Sequence, residues 1–393
     1  MHRIAVIFES TPFDRKGMFN AVHERIKALK SIGECSVDVY CIQSRDNAFT
    51  RAVRHTPKCP RVDIVNIEDV QYRMLWYRFS VIDHIAVWKL HRRPCFFESF
   101  MHRCIDMLRG YDFLIAHSFT GGLFAYETGR LHGVPYVVNW HGSDIHTHPW
   151  RNPLIFRYTG EIMNAAVCNF FVSKALMTES DRIVKDVDKQ VLYNGVSDIF
   201  CRYTDKRRAE LRAAYGVGQD EKIVAFVGSL AAVKNVRVLQ PVFHKVNELF
   251  RGKVKFWIIG DGKLRRSIVS DMASDSTLDV RFFGNVHSGQ MPSLMNCMDV
   301  LVLPSLNEGL PLVCMEAIRC GADVVGSAAG GIPEIISSAS VVQAGDYFID
   351  GMAGKIVERL LCPQTFELPP KFSWMESARK ELKVVTDFLS NFA

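Results

Sequence analysis

Short apolar runs alternate with longer amphipathic stretches from one end of the chain to the other. Residues 4–8 and 37–42 are apolar runs, and between them residues 17–31 repeat apolar side chains at helical spacing. Short runs without polar alternation are typical of strands buried on both faces of a parallel sheet. In the first half, the pattern predicts further strands at Phe113–His117, Tyr136–Trp140, 169–173 and 190–193.

The second half repeats the alternation after a charged stretch. Residues 197–220 lack an apolar run, and we predict an interdomain linker there. Two series of alternating strands and helices predict an α/β fold with two doubly wound parallel sheets, which bind ligands at the carboxyl ends of their strands. The predicted strands of the second series are Lys222–Val227, 255–259, 280–283, Val300–Leu303 and 323–326.

Composition narrows the class of protein. A chain of 393 residues exceeds what one hydrophobic core usually holds. The net charge of +6 comes without a polybasic segment, so nucleic-acid binding is not indicated. The 11 cysteines include no C-x-x-C pair, and we interpret them as reduced thiols. With no signal peptide and no apolar stretch of about 20 residues, we expect a cytoplasmic protein, at most lying on a membrane.

The most informative segment contains two glutamates eight positions apart. Glu308 and Glu316 follow a predicted buried strand, and Gly309, Leu310 and Pro311 stand between them. Pro311 is expected in the first turn of the next helix, where its missing N–H costs nothing. The amides of the glycine and leucine would then lie at a helix N-terminus, which favours a phosphate or a sugar oxygen.

Other candidate residues follow predicted strands. His141 begins a His-Gly-Ser-Asp tetrapeptide that ends at Asp144; a loop histidine bonded to a neighbour is the plain alternative. Gly17 precedes the first helix, where backbone amides could approach a phosphate, although a turn glycine fits as well. Residues 260–262, Gly-Asp-Gly, lack the third glycine of a dinucleotide fingerprint and indicate a turn.

The Glu308–Glu316 spacing resembles the E-x7-E motif of retaining glycosyltransferases of the GT4 family, glycosyl transferase group 1. The resemblance extends over almost the whole chain and includes an H-G-x-D motif at His141. It implies the GT-B fold, two Rossmann-like domains facing a central cleft. The implied boundaries are an acceptor domain at 1–198, a nucleotide-sugar domain at 199–371, and a helix at 372–393 that returns to the first domain.

The resemblance also implies roles for the two glutamates and the histidine. Glu308 would approach the donor sugar, and Glu316 would bind the ribose hydroxyls. His141 would contact the donor sugar. Gly309, Leu310 and Pro311 would complete this part of the donor site.

A second family pattern implies how the diphosphate is held. It is usually G-R-L-x-x-x-K-G, in which Arg and Lys grip the diphosphate. Lys234 matches the Lys, whereas Ser229 replaces the Arg and Asn235 replaces the last Gly. A serine hydroxyl can bond a phosphate oxygen but brings no charge. Val286 would lie beside the base and Gly17 beside the phosphates.

We therefore expect transfer of a sugar from a nucleotide diphosphate sugar, UDP in preference to GDP, with retained anomeric configuration. The expected acceptor is a glycan or lipid-linked glycan of cell-surface polysaccharide biosynthesis, and no metal or other cofactor is expected. The alternatives are a non-catalytic protein that binds glycan or scaffolds a synthase complex, a nucleotide-sugar epimerase, and a phosphorylase on the same fold.

Two further segments are each open to two interpretations. Asp186 and Asp188 match a D-x-D metal motif, but a solvated charged face is the ordinary explanation. Residues 72–97 are rich in aromatic side chains and arginine, which predicts a half-buried helix with snorkelling cations. The alternative for that segment is an acceptor or membrane face.

Overall fold

The computed structural model describes residues 1–13, 17–45, 60–364 and 367–392. The chain forms two compact units, Met1–Gly195 with Ser373–Ala393, and Val196–Phe372. The first division therefore falls three residues before the predicted boundary at 198. The predicted linker at 197–220 is wrong, because the helix Asp205–Ala214 lies within it. Arg212 of that helix is buried and donates a hydrogen bond to the Cys297 carbonyl. The charged sequence therefore forms a helix that packs against the rest of the second unit.

A sheet with strand order β3-β4-β2-β1-β5-β6-β7-β8 forms the first unit. All neighbouring strands are parallel except the edge pair β3 and β4, which is antiparallel. The centre consists of fully buried strands, as their apolar sequences predict. The strands are β1 (Arg3–Glu9), β2 (Ser36–Ser44), β3 (Ile64–Ile67), β4 (Val70–Tyr77), β5 (Phe113–His117), β6 (Tyr136–Trp140), β7 (Cys168–Phe171) and β8 (Lys189–Val191).

The helices of the first unit connect these strands. The helix Gly17–Ile32 follows β1, and the helix Ser118–His132 follows β5 without an intervening loop residue. The others are Val81–Trp88, Cys95–Leu108, Ser143–His146, His148–Arg151, Pro153–Ala165 and Lys174–Ser180.

Residues 72–97 do not form the predicted continuous helix. They contain the end of β4, the helix Val81–Trp88, and the start of Cys95–Leu108. On β4, Tyr72 and Met74 are buried while Arg73 between them is exposed. This period of two is the signature of a strand with one face on the core. The aromatic and arginine content of the segment obscured it.

The second unit contains a sheet of six parallel strands in the order β11-β10-β9-β12-β13-β14. The strands are β9 (Lys222–Val227), β10 (Val254–Ile259), β11 (Asp279–Gly284), β12 (Val300–Leu303), β13 (Asp323–Ser327) and β14 (Val341–Val342). The helices are Asp205–Ala214, Leu239–Leu249, Arg265–Ala273, Met291–Cys297, Leu312–Arg319, Ile332–Ile335 and Phe348–Leu361, with 3₁₀ turns at Ala232–Lys234, Val236–Val238, Ser288–Gln290 and Ser338–Ser340.

The last helix, Trp374–Phe392, belongs to the first unit and lies against Gly17–Ile32. Asn139 of β6 donates a hydrogen bond of 2.5 Å to Glu381 of this helix and accepts one of 2.6 Å from Arg25. All three side chains are buried. Within the described ranges, no helix is both long and apolar enough to cross a membrane.

Candidate functional site

A chain of hydrogen bonds joins the loops at the carboxyl ends of β12 and β13. Ser327 donates to the Ser305 carbonyl at 2.6 Å, and the Ser305 hydroxyl donates to Glu308 Oε1 at 2.6 Å. The same oxygen accepts a charge-assisted bond of 2.5 Å from Lys234 Nζ. The structure therefore brings together two residues that the sequence predicts as donor ligands, 74 positions apart. Both are largely shielded from water, with side-chain exposures of 21% and 11%.

Lys234 reaches this position from the 3₁₀ turn Ala232–Lys234. Asn235 follows it in the left-handed region, with φ of +52°. Asparagine tolerates this conformation better than other residues with a side chain. Its presence in place of the family's glycine therefore preserves the turn that aims the lysine.

A glycine beyond β13 supports the Glu308 loop from behind. Gly330 has a φ of +53°, and a Cβ there would overlap the Glu308 carbonyl oxygen. The amide of Gly331 lies 3.4 Å from the same oxygen. Both the backbone conformation and the space therefore require glycine at position 330.

Glu316 lies one turn into the helix Leu312–Arg319 and is half-buried. Within the described part of the chain its carboxylate has no hydrogen-bond partner, and burial alone raises its pKa to about 7. Burial also raises the pKa of the neighbouring Cys314 thiol; the charges of Glu308 and Glu316 add to this effect and Lys234 opposes it. The two predicted glutamates thus act electrostatically on one buried thiol. An unpaired carboxylate in such a place is suited to accept hydroxyl groups.

The segment between the glutamates is buried. Gly309, Leu310 and Pro311 connect β12 to the helix, which begins at Leu312. Pro311 is therefore the N-cap and not, as predicted, a residue of the first helical turn. Its extended ψ of 109° ends the loop before the helix starts. The helix N-terminus still points its free amides toward this loop.

Ser229 and Val286 follow β9 and β11 at the same edge of the sheet. Ser229 is exposed and Val286 is half-buried. Among the described residues, no side-chain hydrogen bond joins Ser229 to Lys234 or Glu308. Val286 has no side-chain group that could form one. Their donor roles remain predictions.

The Gly-Asp-Gly turn has a packing explanation. A Cβ on Gly260 would overlap the Gly228 carbonyl, and one on Gly262 would overlap the Leu230 backbone. Both glycines therefore allow two loops at the carboxyl edge to approach each other closely. This agrees with a turn and not with a dinucleotide fingerprint.

In the first unit, His141 stands directly after β6 beside a second histidine. Its Nε2 lies 3.2 Å from Nδ1 of His117, the last residue of β5. Burial lowers the pKa of His141 to about 3, and the Arg25 charge contributes. Burial, His141 and Arg25 hold the pKa of His117 well below its ordinary value. Both rings are therefore neutral at pH 7, and one donates its N–H to the other.

Asp144 fixes the loop that carries this histidine. Its carboxylate accepts the His141 amide at 3.1 and 3.2 Å and the Gly142 amide at 2.7 Å. Asp144 is buried, and desolvation raises its pKa against the effect of these bonds. The aspartate therefore orients the loop and, with it, the histidine.

Gly17 begins the helix Gly17–Ile32. A Cβ at this position would meet nothing within 4 Å, so packing does not require a glycine there. Its predicted phosphate contact stays a prediction.

Four residues that contribute to these clusters were missed by sequence reasoning. Ser305, Ser327 and Gly330 surround Glu308, and His117 contacts His141. Adjacent glycines after β13 and a histidine ending β5 are visible signals in the sequence. The serines carry no such signal, because serine is common in loops.

No group of three or more metal-ligating side chains occurs among the residues that the structure describes. Asp186 and Asp188, the D-x-D candidates, are exposed in a turn. Within the described part of the chain, no third metal-ligating side chain joins these two aspartates.

Two family models match this sequence. "Glycosyl transferase 4-like domain" matches residues 17–195, and "Glycosyl transferases group 1" matches residues 221–361. The two matches cover most of both units.

Curated relatives match part of the chain. An uncharacterized glycosyltransferase of Methanocaldococcus jannaschii is 29% identical over 224 residues, which are 55% of this chain and 50% of the relative. The putative teichuronic acid biosynthesis glycosyltransferase TuaC of Bacillus subtilis is 25% identical over 207 residues, 51% of this chain and 49% of the relative. The chain thus spans about half the length of these relatives.

A solved structure matches at full length. HepE of Anabaena, crystallised in complex with UDP and glucose, superposes with a TM-score of 0.67 at 16% identity, covering 97% of this chain and 96% of that one. At this identity the likeness shows the fold, which is GT-B.

Proposed function

Because the chain belongs to the group 1, GT4-type glycosyltransferases, we propose that it transfers a hexose from a UDP-sugar to a hydroxyl group of a glycan or lipid-linked glycan. The observation that carries this proposal is the Lys234–Glu308 pair together with Glu316, eight residues further on, which has no partner among the described residues. A cation, a carboxylate for the sugar and a carboxylate for the ribose are the groups that a nucleotide-sugar site needs.

The leaving diphosphate gathers negative charge as the sugar departs. Lys234, the Ser229 hydroxyl and the N-terminus of the helix Leu312–Arg319 would stabilise that charge. The charges of Lys234 and Glu308 neutralise each other across their hydrogen bond of 2.5 Å. A diphosphate would compete for the lysine and release the carboxylate to accept a sugar hydroxyl, so donor binding would itself prepare the residue assigned to the sugar.

Retention of configuration is proposed from the E-x7-E resemblance. The choice of UDP is supported by the bound UDP of HepE, and the polysaccharide acceptor by the name of TuaC. Proton NMR of the first-formed product would report the anomeric configuration. An inverted product would contradict the retaining assignment.

We also propose peripheral contact with a membrane surface. The helix Val81–Trp88 exposes Ile82 and Ile85, at 63% and 46%, and exposed Lys89 and Arg92 follow it. An apolar helix face beside cations suits an anionic lipid surface. Sedimentation with anionic vesicles should deplete the wild type, while the double substitution of Ile82 and Ile85 by serine should leave the protein in the supernatant.

A second candidate is a non-catalytic protein that binds glycan or scaffolds a complex. The exposed, uncharged Ser229 in place of the family's arginine favours it, because one cation of the diphosphate grip is missing. This candidate predicts no nucleotide affinity.

Calorimetric titration with UDP, GDP and ADP, first without metal and then with magnesium, tests the donor site. We expect saturable binding that prefers UDP and needs no metal. A folded sample that binds none of the three would refute the enzyme and leave the second candidate. A magnesium requirement would contradict the metal-free assignment.

The reaction itself is tested by release of UDP from candidate UDP-sugars. Release that depends on an added glycan acceptor supports transfer and argues against an epimerase. Conversion of the sugar nucleotide without UDP release would support the epimerase.

A further inference from the structure

The first unit contains a cavity of about 490 Å³ at the carboxyl edge of its sheet. Glu9 and Tyr77, the last residues of β1 and β4, close one end of it. Its walls come from the helices Val81–Trp88, Cys95–Leu108, Ser118–His132 and Pro153–Ala165. The volume is that of a small-molecule site, and open α/β sheets bind ligands at this edge.

A single carboxylate is held in place at the sheet end of the cavity. Glu9 Oε1 accepts a hydrogen bond of 2.5 Å from the Tyr77 hydroxyl, and Oε2 accepts one of 2.6 Å from the Thr120 hydroxyl. Each carboxylate oxygen retains capacity for another donor. In the described ranges, no Lys, Arg or His forms an ion pair with Glu9. This end of the cavity is therefore built to accept a hydroxyl group and to repel an anion.

The walls are mostly apolar. Phe97 packs edge-on against Tyr77 with ring centroids 5.0 Å apart, and it also contacts the rings of Phe79 and Phe124. Leu123 and Met101 line the cavity beside these rings. Such a wall removes apolar ligand surface from water, which is the main source of affinity for a ligand that carries an apolar body.

The cavity also contains a cation, but its charge is already balanced. Arg93 donates to Glu98 at 2.8 Å and to the buried Glu127 at 2.9 Å, and it lies over the Tyr158 ring. Glu127 also accepts hydrogen bonds from Arg130, so two carboxylates balance two guanidiniums in this cluster. A phosphate entering the cavity would find the guanidinium of Arg93 already paired, and it would meet the Glu9 carboxylate at the other end.

We infer that this cavity binds a neutral amphiphile, with a hydroxyl group at Glu9 and an apolar body along Phe97 and Leu123. Given the proposed function, on which this role depends, the amphiphile is the acceptor or its apolar portion. The apolar surface continues outward, because Val87 and Trp88 line the cavity while Ile82 and Ile85 of the same helix are exposed. A phosphorylated or wholly hydrophilic acceptor does not fit this chemistry.

Octyl glucoside below its micelle concentration is a suitable probe, compared with glucose and with octyl phosphate by calorimetry on the full chain. We expect saturable binding of octyl glucoside, and at least tenfold weaker binding of the other two. Octyl phosphate binding as tightly as octyl glucoside would overturn the assignment.

Variants locate the binding. Leu123→Trp fills the cavity and should abolish octyl glucoside binding, and Glu9→Gln should weaken it about tenfold. Leu131→Trp is the matched control, because Leu131 is 45% exposed on the same helix, Ser118–His132, and should bind normally. Unchanged binding by both cavity variants would refute the site.

UDP titration of each variant separates this inference from the proposed function. Lys234, Glu308 and Glu316, which carry the proposed donor site, lie in the second unit, so cavity variants that fold should keep wild-type UDP affinity. Octyl glucoside binding without any UDP binding would refute the donor site and, with it, the acceptor role of the amphiphile. UDP binding without octyl glucoside binding would refute the cavity assignment alone.

Discussion

At the scale of single residues, Lys234 and Glu308 stabilise each other in the loops where we propose the donor site. Each would cost free energy as an isolated, largely buried charge, and their hydrogen bond of 2.5 Å offsets that cost. Glu316 has no such partner among the described residues. Its pKa is raised because its carboxylate is removed from water without a compensating positive charge. The two glutamates of one motif are thus in different electrostatic environments.

This difference predicts different consequences of removing each charge. Glu308→Gln should lower kcat by a factor of 100 or more, and UDP should bind as tightly as in the wild type or more tightly, because Lys234 is released for the diphosphate. Glu316→Gln should weaken UDP binding by about tenfold and leave kcat less affected. Steady-state kinetics and calorimetry separate the two effects; equal losses in both variants would contradict the assignment.

The pKa of Glu316 also predicts a pH dependence of stability. Its folded-state pKa of about 7 exceeds the ordinary value of 4.5, so the folded protein binds more protons between these values. The free energy of unfolding should therefore fall as pH rises from 4.5 through about 7. Denaturant unfolding of Glu316→Gln should lack this component. Other carboxylates with a raised pKa, such as that of Asp144, contribute equally to both proteins, so identical pH profiles would disprove the shift.

At the scale of elements, loops at the carboxyl ends of neighbouring strands hold the donor candidates. Ser305 belongs to the loop after β12, and Ser327 ends β13; together they fix Glu308. Asn235 supplies the left-handed residue that the Lys234 turn requires. Strand order alone brings these distant segments together, which is why the motif after β12 acquires partners from β9 and β13.

Gly330 provides the test at this scale. Gly330→Ala should displace the Glu308 loop, reduce turnover more than tenfold, and cost at least about 1–2 kcal/mol for the left-handed backbone. Gly354→Ala is the control, because Gly354 is exposed in the helix Phe348–Leu361 and a Cβ would meet nothing within 4 Å. The control should be active and as stable as the wild type or slightly more stable. Full activity in both proteins would show that the loop tolerates displacement.

At the scale of the whole molecule, the chain leaves its first unit after Gly195 and returns to it at Ser373. The returning helix contributes Glu381 to a buried network with Asn139 and Arg25. Burial lowers the pKa of Arg25 and raises that of Glu381, and each charge opposes the shift of the other. The first unit therefore depends on residues from both ends of the chain.

Removal of one buried charge should destabilise this unit strongly. Glu381→Ala leaves the Arg25 charge uncompensated and should lower the free energy of unfolding by about 3–5 kcal/mol. Glu376→Ala on the same helix removes only an exposed pair with Arg379 and should cost less than about 1 kcal/mol. Urea unfolding followed by circular dichroism compares them, and similar losses would mean that the network contributes little.

The sequence by itself determined the fold class and most of the central strands. Phe113–His117, Tyr136–Trp140, Lys222–Val227 and Val300–Leu303 have the predicted bounds, because a strand buried on both faces must be apolar throughout. The E-x7-E spacing determined the family, which the two matching family models confirm. The bounds of a buried strand and the spacing of a motif are local features, so a short segment of sequence is enough to predict them.

The tertiary structure alone decided which side chains meet. β4 was missed because the aromatic and arginine content of its segment obscured the alternation of buried and exposed residues. The helix Asp205–Ala214 was missed because its sequence is mostly charged, although Arg212 is buried and hydrogen-bonded. Strand order and burial decide three further features. They are the pairing of Lys234 with Glu308, the support of the Glu308 loop by Gly330, and the neutral His117–His141 pair. Contacts between distant segments and the dielectric around a charge are properties of the folded packing, so a linear pattern does not encode them locally.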